Sequence, residues 1–180
     1  GITMPVVVLN ADADSFDAMA ANRLEPEIYS LRSLHEFAAA VERYGEQRYP
    51  IHVKLDTGMH RLGFVEEELP ALLDALARYG RTVRVASVFA HLCTSDDPAQ
   101  DDFTRLQIAR FDRMSSRIAE ALPYPVLRHT ANSAAIERFP EAQYDMCRLG
   151  LGLYGFGFEH NAALRPVSTL RTRIVQIKRL

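Results

Sequence analysis

Apolar positions in this chain fall into short runs of period two that alternate with longer stretches of period three to four. Pro5 to Leu9 is a compact β-branched run, and Ser15 to Arg23 follows with a short helical pattern. Pro26 to Ser30 reads as a second strand. Leu31, Leu34, Ala38 and Val41 then recur at helical spacing, with Ser33 and Glu36 as a capping box and Gly45 as a stop. Ile51 to Asp56 is a third strand, followed by a helix that buries Leu69, Leu72, Leu73, Leu76 and Tyr79 and ends at Gly80. Val83 to His91 is the fourth strand. A long helix marked by Phe103, Leu106, Met114 and Ile118 leads to Pro123 and Pro125, and Val126 to Thr130 forms strand five. Asn132 and Ser133 are good N-caps for a short helix, and a sixth strand spans about Tyr144 to Leu149 before a glycine-rich stretch.

Strand–helix units of roughly 25 residues predict a parallel β/α architecture, either a doubly wound sheet or a (β/α) barrel. The polar residues favour the barrel. Lys54 with Asp56, His91, His129 with Asn132, and Arg148 stand at the C-terminal ends of four different strands, where barrel enzymes assemble their sites. A doubly wound sheet would instead place a glycine-rich turn after its first strand, and none follows Leu9. A closed barrel needs eight strands and about 250 residues. The expected fold is therefore a partial (β/α)8 TIM barrel over residues 1–160. The alternation of Leu170, Thr172, Ile174 and Gln176 against Arg171, Arg173, Val175 and Ile177 predicts the start of a C-terminal β domain over residues 161–180.

The third strand carries the densest chemistry. Ile51, Val53 and Leu55 share one face, while His52, Lys54 and Asp56 share the other. A cation and a carboxylate on a strand face imply a site there, the plain alternative being an edge strand with a solvated polar side. Gly58 and Gly63 permit a sharp return that brings Arg61 over the strand tip.

Composition adds exclusions. The 180 residues are 48% hydrophobic and 24% charged with a net charge of −2, as in ordinary globular domains. Nothing marks a nucleic-acid or anionic-membrane partner. No run of 18 apolar residues and no signal-peptide pattern occurs, so the cytoplasm is the default expectation. Cys93 and Cys147 read as buried thiols rather than a redox pair, and no metal site is expected.

Four blocks carry a family resemblance: Lys54 to Gly63, His91 to Asp97, His129 to Ala135, and Met146 to Gly155. In that order they resemble the middle of bacterial alanine racemases, which join a (β/α)8 barrel to a C-terminal β domain and use pyridoxal 5′-phosphate. The wording of Leu24 to Ser30 and of Thr57 to His60 is most similar to racemase halves fused behind a Mur-type D-Ala-D-Ala-adding ligase.

The resemblance implies a cytoplasmic homodimer that supplies D-alanine for peptidoglycan. Ser133, Gly150 and Leu151 would hold the cofactor phosphate, with Asn132 beside them, and Arg148 would face the pyridine nitrogen, oriented by His91 and His129. Lys54, Arg61 and His91 would be the catalytic group, Arg61 binding the cofactor's phenolic oxygen or the substrate carboxylate and Lys54 being carbamylated by carbon dioxide. His60 stands where the family commonly has glycine. The family's two proton-transfer bases, a lysine bonded to the cofactor and an opposing tyrosine, lie in motifs not found here, so the excerpt is expected to be inactive alone. The alternatives are a non-catalytic pyridoxal-phosphate homeostasis barrel and a racemase-like structural domain of a fusion.

Overall fold

The structure, a computed structural model, describes residues 2–158, 161 and 163–179. Five parallel strands form one sheet in sequential order: β1 (Val7–Val8), β2 (Glu25–Ile28), β3 (Tyr49–Lys54), β4 (Val83–Phe89) and β5 (Leu127–His129). Between them run α1 (Phe16–Asn22), α2 (Leu31–Arg43), α3 (Leu69–Arg78) and α4 (Asp101–Ala121), and α5 (Ser133–Arg138) follows β5.

The strand order decides between the two architectures left open by the pattern. Parallel crossovers share one hand, so strands added in strict sequence put every helix on the same face of the sheet. A doubly wound sheet reverses its order and places helices on both faces. Sequential order therefore makes this an arc of a (β/α) barrel, helices outside and the other sheet face turned to the lumen.

The outer face holds the main core. Ile51, Val53 and Leu55 of the third strand segment meet Leu34, Phe37 and Val41 of α2 and Leu69, Leu72 and Leu76 of α3, all buried. Phe37 stands edge-on to both Phe16 and Tyr49, with ring centroids 5.3 Å apart in each pair. That burial, at about 1.5–3 kcal/mol per large side chain, supplies the main folding drive.

Several local expectations are corrected. The box that starts α2 is Ser30 with Ser33, each accepting the other's backbone N–H at 3.1 Å. Glu36 instead pairs with Arg32 on the exposed face. Leu106 is 44% exposed, and α4 turns Thr104 and Gln107 inward alongside Phe111, Met114 and Ile118. Gln107 is needed there because it ties the strand tips together: its amide donates to His91 O (3.1 Å) and Thr57 Oγ1 (3.3 Å) and accepts from Cys93 N–H (3.1 Å).

The sixth strand does not form as a ladder; residues 144–149 are irregular, yet Asp145 N–H donates to Arg128 O and Arg148 N–H to Ala131 O, which lays the segment along β5. The stretch after Ser168 pairs with no strand through residue 179, because no neighbouring edge reaches it; Leu180 lies outside the described residues. Cys93 and Cys147 are half-buried and unpaired rather than buried.

Candidate functional site

The lumen face of the sheet carries the buried polar residues Glu27, His52, Lys54, Ser87 and His129. On β2 and β3 the pleat turns Glu25, Glu27, His52 and Lys54 the same way. β4 joins them through a register shift. Ile51 pairs with Val85 but His52 pairs with Ser87, so Ala86 is an extra residue in β4. Strict alternation would put Ser87 and Phe89 on the outer face with Val83 and Val85. The bulge turns both into the lumen instead.

Phe89 is the hub of what results. Its ring stacks on His129 at 5.0 Å with an interplanar angle of 3°, lies 4.6 Å from the Lys54 ammonium and 5.3 Å from the Arg148 guanidinium. Three sequence-predicted site residues, carried by β3, β5 and the segment after it, thus meet on one ring.

Both terminal nitrogens of Arg148 are engaged, while its Nε–H has no partner among the described residues. The guanidinium donates to His129 Nδ1 (2.7 Å), Ala90 O (2.7 Å), Thr130 O (3.1 Å) and, at 3.4 Å, His129 O. Burial lowers its pKa to about 10, so it stays a cation at neutral pH. An arginine has donors only. His129 Nδ1 must therefore accept, its proton sits on Nε2, and that proton reaches Ser87 Oγ at 3.0 Å. Ser87 can then donate to His52 Nδ1 (2.6 Å), and His52 Nε2 lies 2.7 Å from the Glu25 carboxylate. A directed chain of hydrogen bonds runs from Arg148 across three strands to Glu25.

Burial, then Arg148, hold the His129 pKa at about 3; burial, Arg148, Lys54 and Arg61 hold that of His91 at about 4. Both imidazoles are neutral at physiological pH. An unfolded histidine takes up its proton near pH 6.5. The unfolded state thus binds more protons below that point, and stability, fully present above pH 6.5, is lost on acidification down to about pH 3 for His129 and about pH 4 for His91. Urea midpoints should fall between about pH 7 and 5, by up to about 1.4 kcal/mol per pH unit for each histidine, and His129→Gln should make the dependence shallower.

Lys54 and Arg61 do not form the expected unit. Lys54 is buried and its nearest charged partner is Glu27, 3.4 Å away. Arg61 is exposed and, among the described residues, makes no hydrogen bond or ion pair. Its loop is nonetheless built to return. Gly63 has φ +126°, and a Cβ there would sit 2.6 Å from backbone atoms of Leu55 and Asp56. Phe64 closes the loop by exchanging backbone hydrogen bonds with Lys54 and Asp56. The Asp56 carboxylate serves the loop, accepting from Gly58 and His60 N–H. His60 itself has φ +54°, a conformation natural to glycine.

The last predicted group gathers after β5. Ser133 Oγ accepts backbone N–H groups of both Gly150 (2.9 Å) and Gly152 (3.0 Å). A Cβ on Gly152 would meet the Leu149 side chain at 2.7 Å, whereas one on Gly150 would only reach ordinary contact with that hydroxyl. In this structure both donors are spent on the hydroxyl; an anion taking the place of Ser133 Oγ would meet the same two N–H groups. Asn132 is committed to structure: it caps α5 through Ala135 N–H, accepts from Ser95 Oγ and donates to Leu92 O. Leu151 begins a turn of 3₁₀-helix with its side chain exposed, so only its backbone can contribute.

Sequence reasoning missed Glu25, Glu27, Ser87 and Phe89. The alternation Glu25-Pro26-Glu27-Ile28 matched that of His52-Val53-Lys54 and was a readable signal for the two glutamates. No local signal announced the bulge.

Residues 1–157 match the family described as "Alanine racemase, N-terminal domain". The alanine racemase of Symbiobacterium thermophilum is 35% identical over 99% of this chain and 48% of its own length. The solved alanine racemase from a D-cycloserine-producing Streptomyces lavendulae is 28% identical, with a TM-score of 0.82 over 92% of this chain and 45% of that one. A Bartonella henselae alanine racemase, solved with covalently bound pyridoxal phosphate, shares the fold at 21% identity, with a TM-score of 0.74 over 89% of this chain and 45% of that one. The chain spans about half the length of the curated relatives it matches.

Proposed function

This chain belongs to the alanine racemase family, and from that premise we propose that it is the barrel segment of a pyridoxal 5′-phosphate-dependent enzyme interconverting L- and D-alanine. The observations that carry the proposal are the meeting of His129, Lys54 and Arg148 on Phe89 and the gathering of Gly150 and Gly152 N–H on Ser133.

The residues fit the cofactor's chemistry. Ser133 with the backbone N–H groups of Gly150, Leu151 and Gly152 would hold the phosphate. Arg148 would face the pyridine nitrogen as a donor that keeps its own proton. Bound there, the cofactor would supply an electron sink that acidifies the substrate's α-proton. His129 fixes the guanidinium from behind, and neutral His91 lines the site without adding charge. Arg61, exposed and without a partner among the described residues, is free to take the substrate carboxylate through its planar fork. Asn132 positions the α5 start rather than touching the ligand.

Lys54 and Lys178 are the only lysines of the 180 residues. Neither sits in the family's cofactor-lysine context, so proton transfer would draw on residues outside this chain. The exposed Leu170, Ile174, Val175 and Ile177 await cover, which supports their belonging to a C-terminal β domain. A homodimer working in the cytoplasm for cell-wall synthesis completes the reading. Among the described residues no helix is long and apolar enough to cross a membrane.

The test is racemisation followed by circular dichroism, with cofactor uptake followed by visible absorbance. The full-length protein should bind pyridoxal phosphate and convert L- to D-alanine, whereas the 180-residue chain should give no turnover above a mock preparation. A full-length protein that neither takes up the cofactor nor racemises alanine defeats the proposal.

A further inference from the structure

Glu27 is 2% exposed, on the lumen face beside Lys54. Its Oε2 accepts the Asn10 backbone N–H at 2.5 Å, and its Oε1 lies 3.4 Å from Lys54 Nζ. The Lys54 side chain is 8% exposed and that of Glu27 3%, so neither charge is hydrated. Burying an ammonium alone is costly enough that the group gives up its proton. Burial first, and then the cations Arg148 and Arg61, lower the Lys54 pKa from its ordinary value, while His91 and His129 are neutral. Glu27 favours the charge on both Lys54 and Arg148.

We propose that Glu27 is the site's built-in counter-anion, a positioning residue that holds Lys54 as an unmodified ammonium and removes the need for a carbamate at that lysine. Carbamylation requires the neutral amine: its lone pair forms the N–C bond to carbon dioxide and the nitrogen releases a proton. An ammonium paired to Glu27 has no lone pair to offer. The product would also set a second anion beside a buried carboxylate, an arrangement like charges oppose. Glu27 thus fills the electrostatic place that a carbamate would take, and being anchored to Asn10 it needs no carbon dioxide to do so.

This inference concerns Lys54 alone and stands whether or not the cofactor assignment holds. The full-length protein is equilibrated with 13C-bicarbonate and examined by 13C NMR. The parent protein should show no lysine carbamate carbonyl, and Glu27→Gln should gain one. In parallel, acylation by acetic anhydride is quantified by peptide mass spectrometry, with Lys178 as reference. At neutral pH the Lys54/Lys178 labelling ratio should rise roughly tenfold or more in Glu27→Gln, one pKa unit being a factor of ten. Glu27→Asp, which keeps the charge, should hold the ratio within a few-fold of the parent. A carbamate signal in the parent overturns the proposal, a measurement that needs no variant to fold. So does an unchanged labelling ratio in a Glu27→Gln protein whose far-ultraviolet circular dichroism is native.

Discussion

Arg148→Leu is expected to lower the unfolding free energy by about 2–4 kcal/mol, since it leaves the carbonyls of Ala90 and Thr130 without their donor at about 1–3 kcal/mol for each unmet group. Relief from burying a cation offsets part of that loss. The same change should raise the His129 pKa from about 3 toward the ordinary range, because the guanidinium is the second cause of its depression after burial. Chemical denaturation reads the first effect and NMR titration of the imidazole the second. In the full-length protein, turnover should drop roughly 10²-fold or more, the scale seen when one preorganised donor is removed from a reacting site. Arg148→Lys separates charge from shape. A point charge cannot span three carbonyls and an imidazole nitrogen, so it should keep part of the His129 depression while losing most of the stability and turnover. If Arg148→Lys behaves as the parent in all three measurements, the fork geometry has been given a role it does not have.

Phe89→Ala should be the most destabilising single change in the site. Removing a fully buried phenylalanine costs about 3–5 kcal/mol, and the stacked His129 ring adds about 0.5–1.5 kcal/mol. The loss would be more than packing, since Lys54 and Arg148 rest against the same ring. Phe89→Leu, which keeps most of the volume, should cost less in urea denaturation yet still loosen His129. The imidazole should then exchange between orientations and titrate nearer its unperturbed value. A Phe89→Leu protein with native stability and an unmoved His129 titration would show that Phe89 only fills space.

Much of the site was readable before the fold was known, because strand tips advertise themselves. Lys54, His91, His129 and Arg148 are polar residues ending apolar runs, and the barrel brings His129, Lys54 and Arg148 onto one ring with His91 coupled to them. Ser133 and the glycines after Leu149 were legible for a similar reason. A helix start supplies the Ser133 hydroxyl and a run of small residues exposes backbone donors, and here the N–H groups of Gly150 and Gly152 converge on that hydroxyl. Three expectations had no such support. Asn132 looked like a ligand-binding residue but spends its amide on α5 and the loop after β4. Arg61 was expected to face Lys54, yet partner choice depends on which strand lies alongside, and β2 brought Glu27. The capping box of α2 shifted by three residues, since Ser30 and Ser33 cap each other more directly than Glu36 could reach.

From its order of residues alone, this chain settled five of its strands and the helices between them, though not the fate of residues 144–149 or of the stretch after Ser168, and it settled which side chains stand at the tips. Those are properties of periods of two and of three to four, carried by near neighbours. Contact between strands decided the rest. The extra residue at Ala86 turns Ser87 and Phe89 from the helix side to the lumen, and with them the hydrogen-bond chain from Arg148 to Glu25. A bulge is a relation between two strands, so neither strand's own pattern records it. The same holds for the Glu27–Lys54 pair, formed between residues 27 positions apart only because parallel strands in sequential order lie side by side.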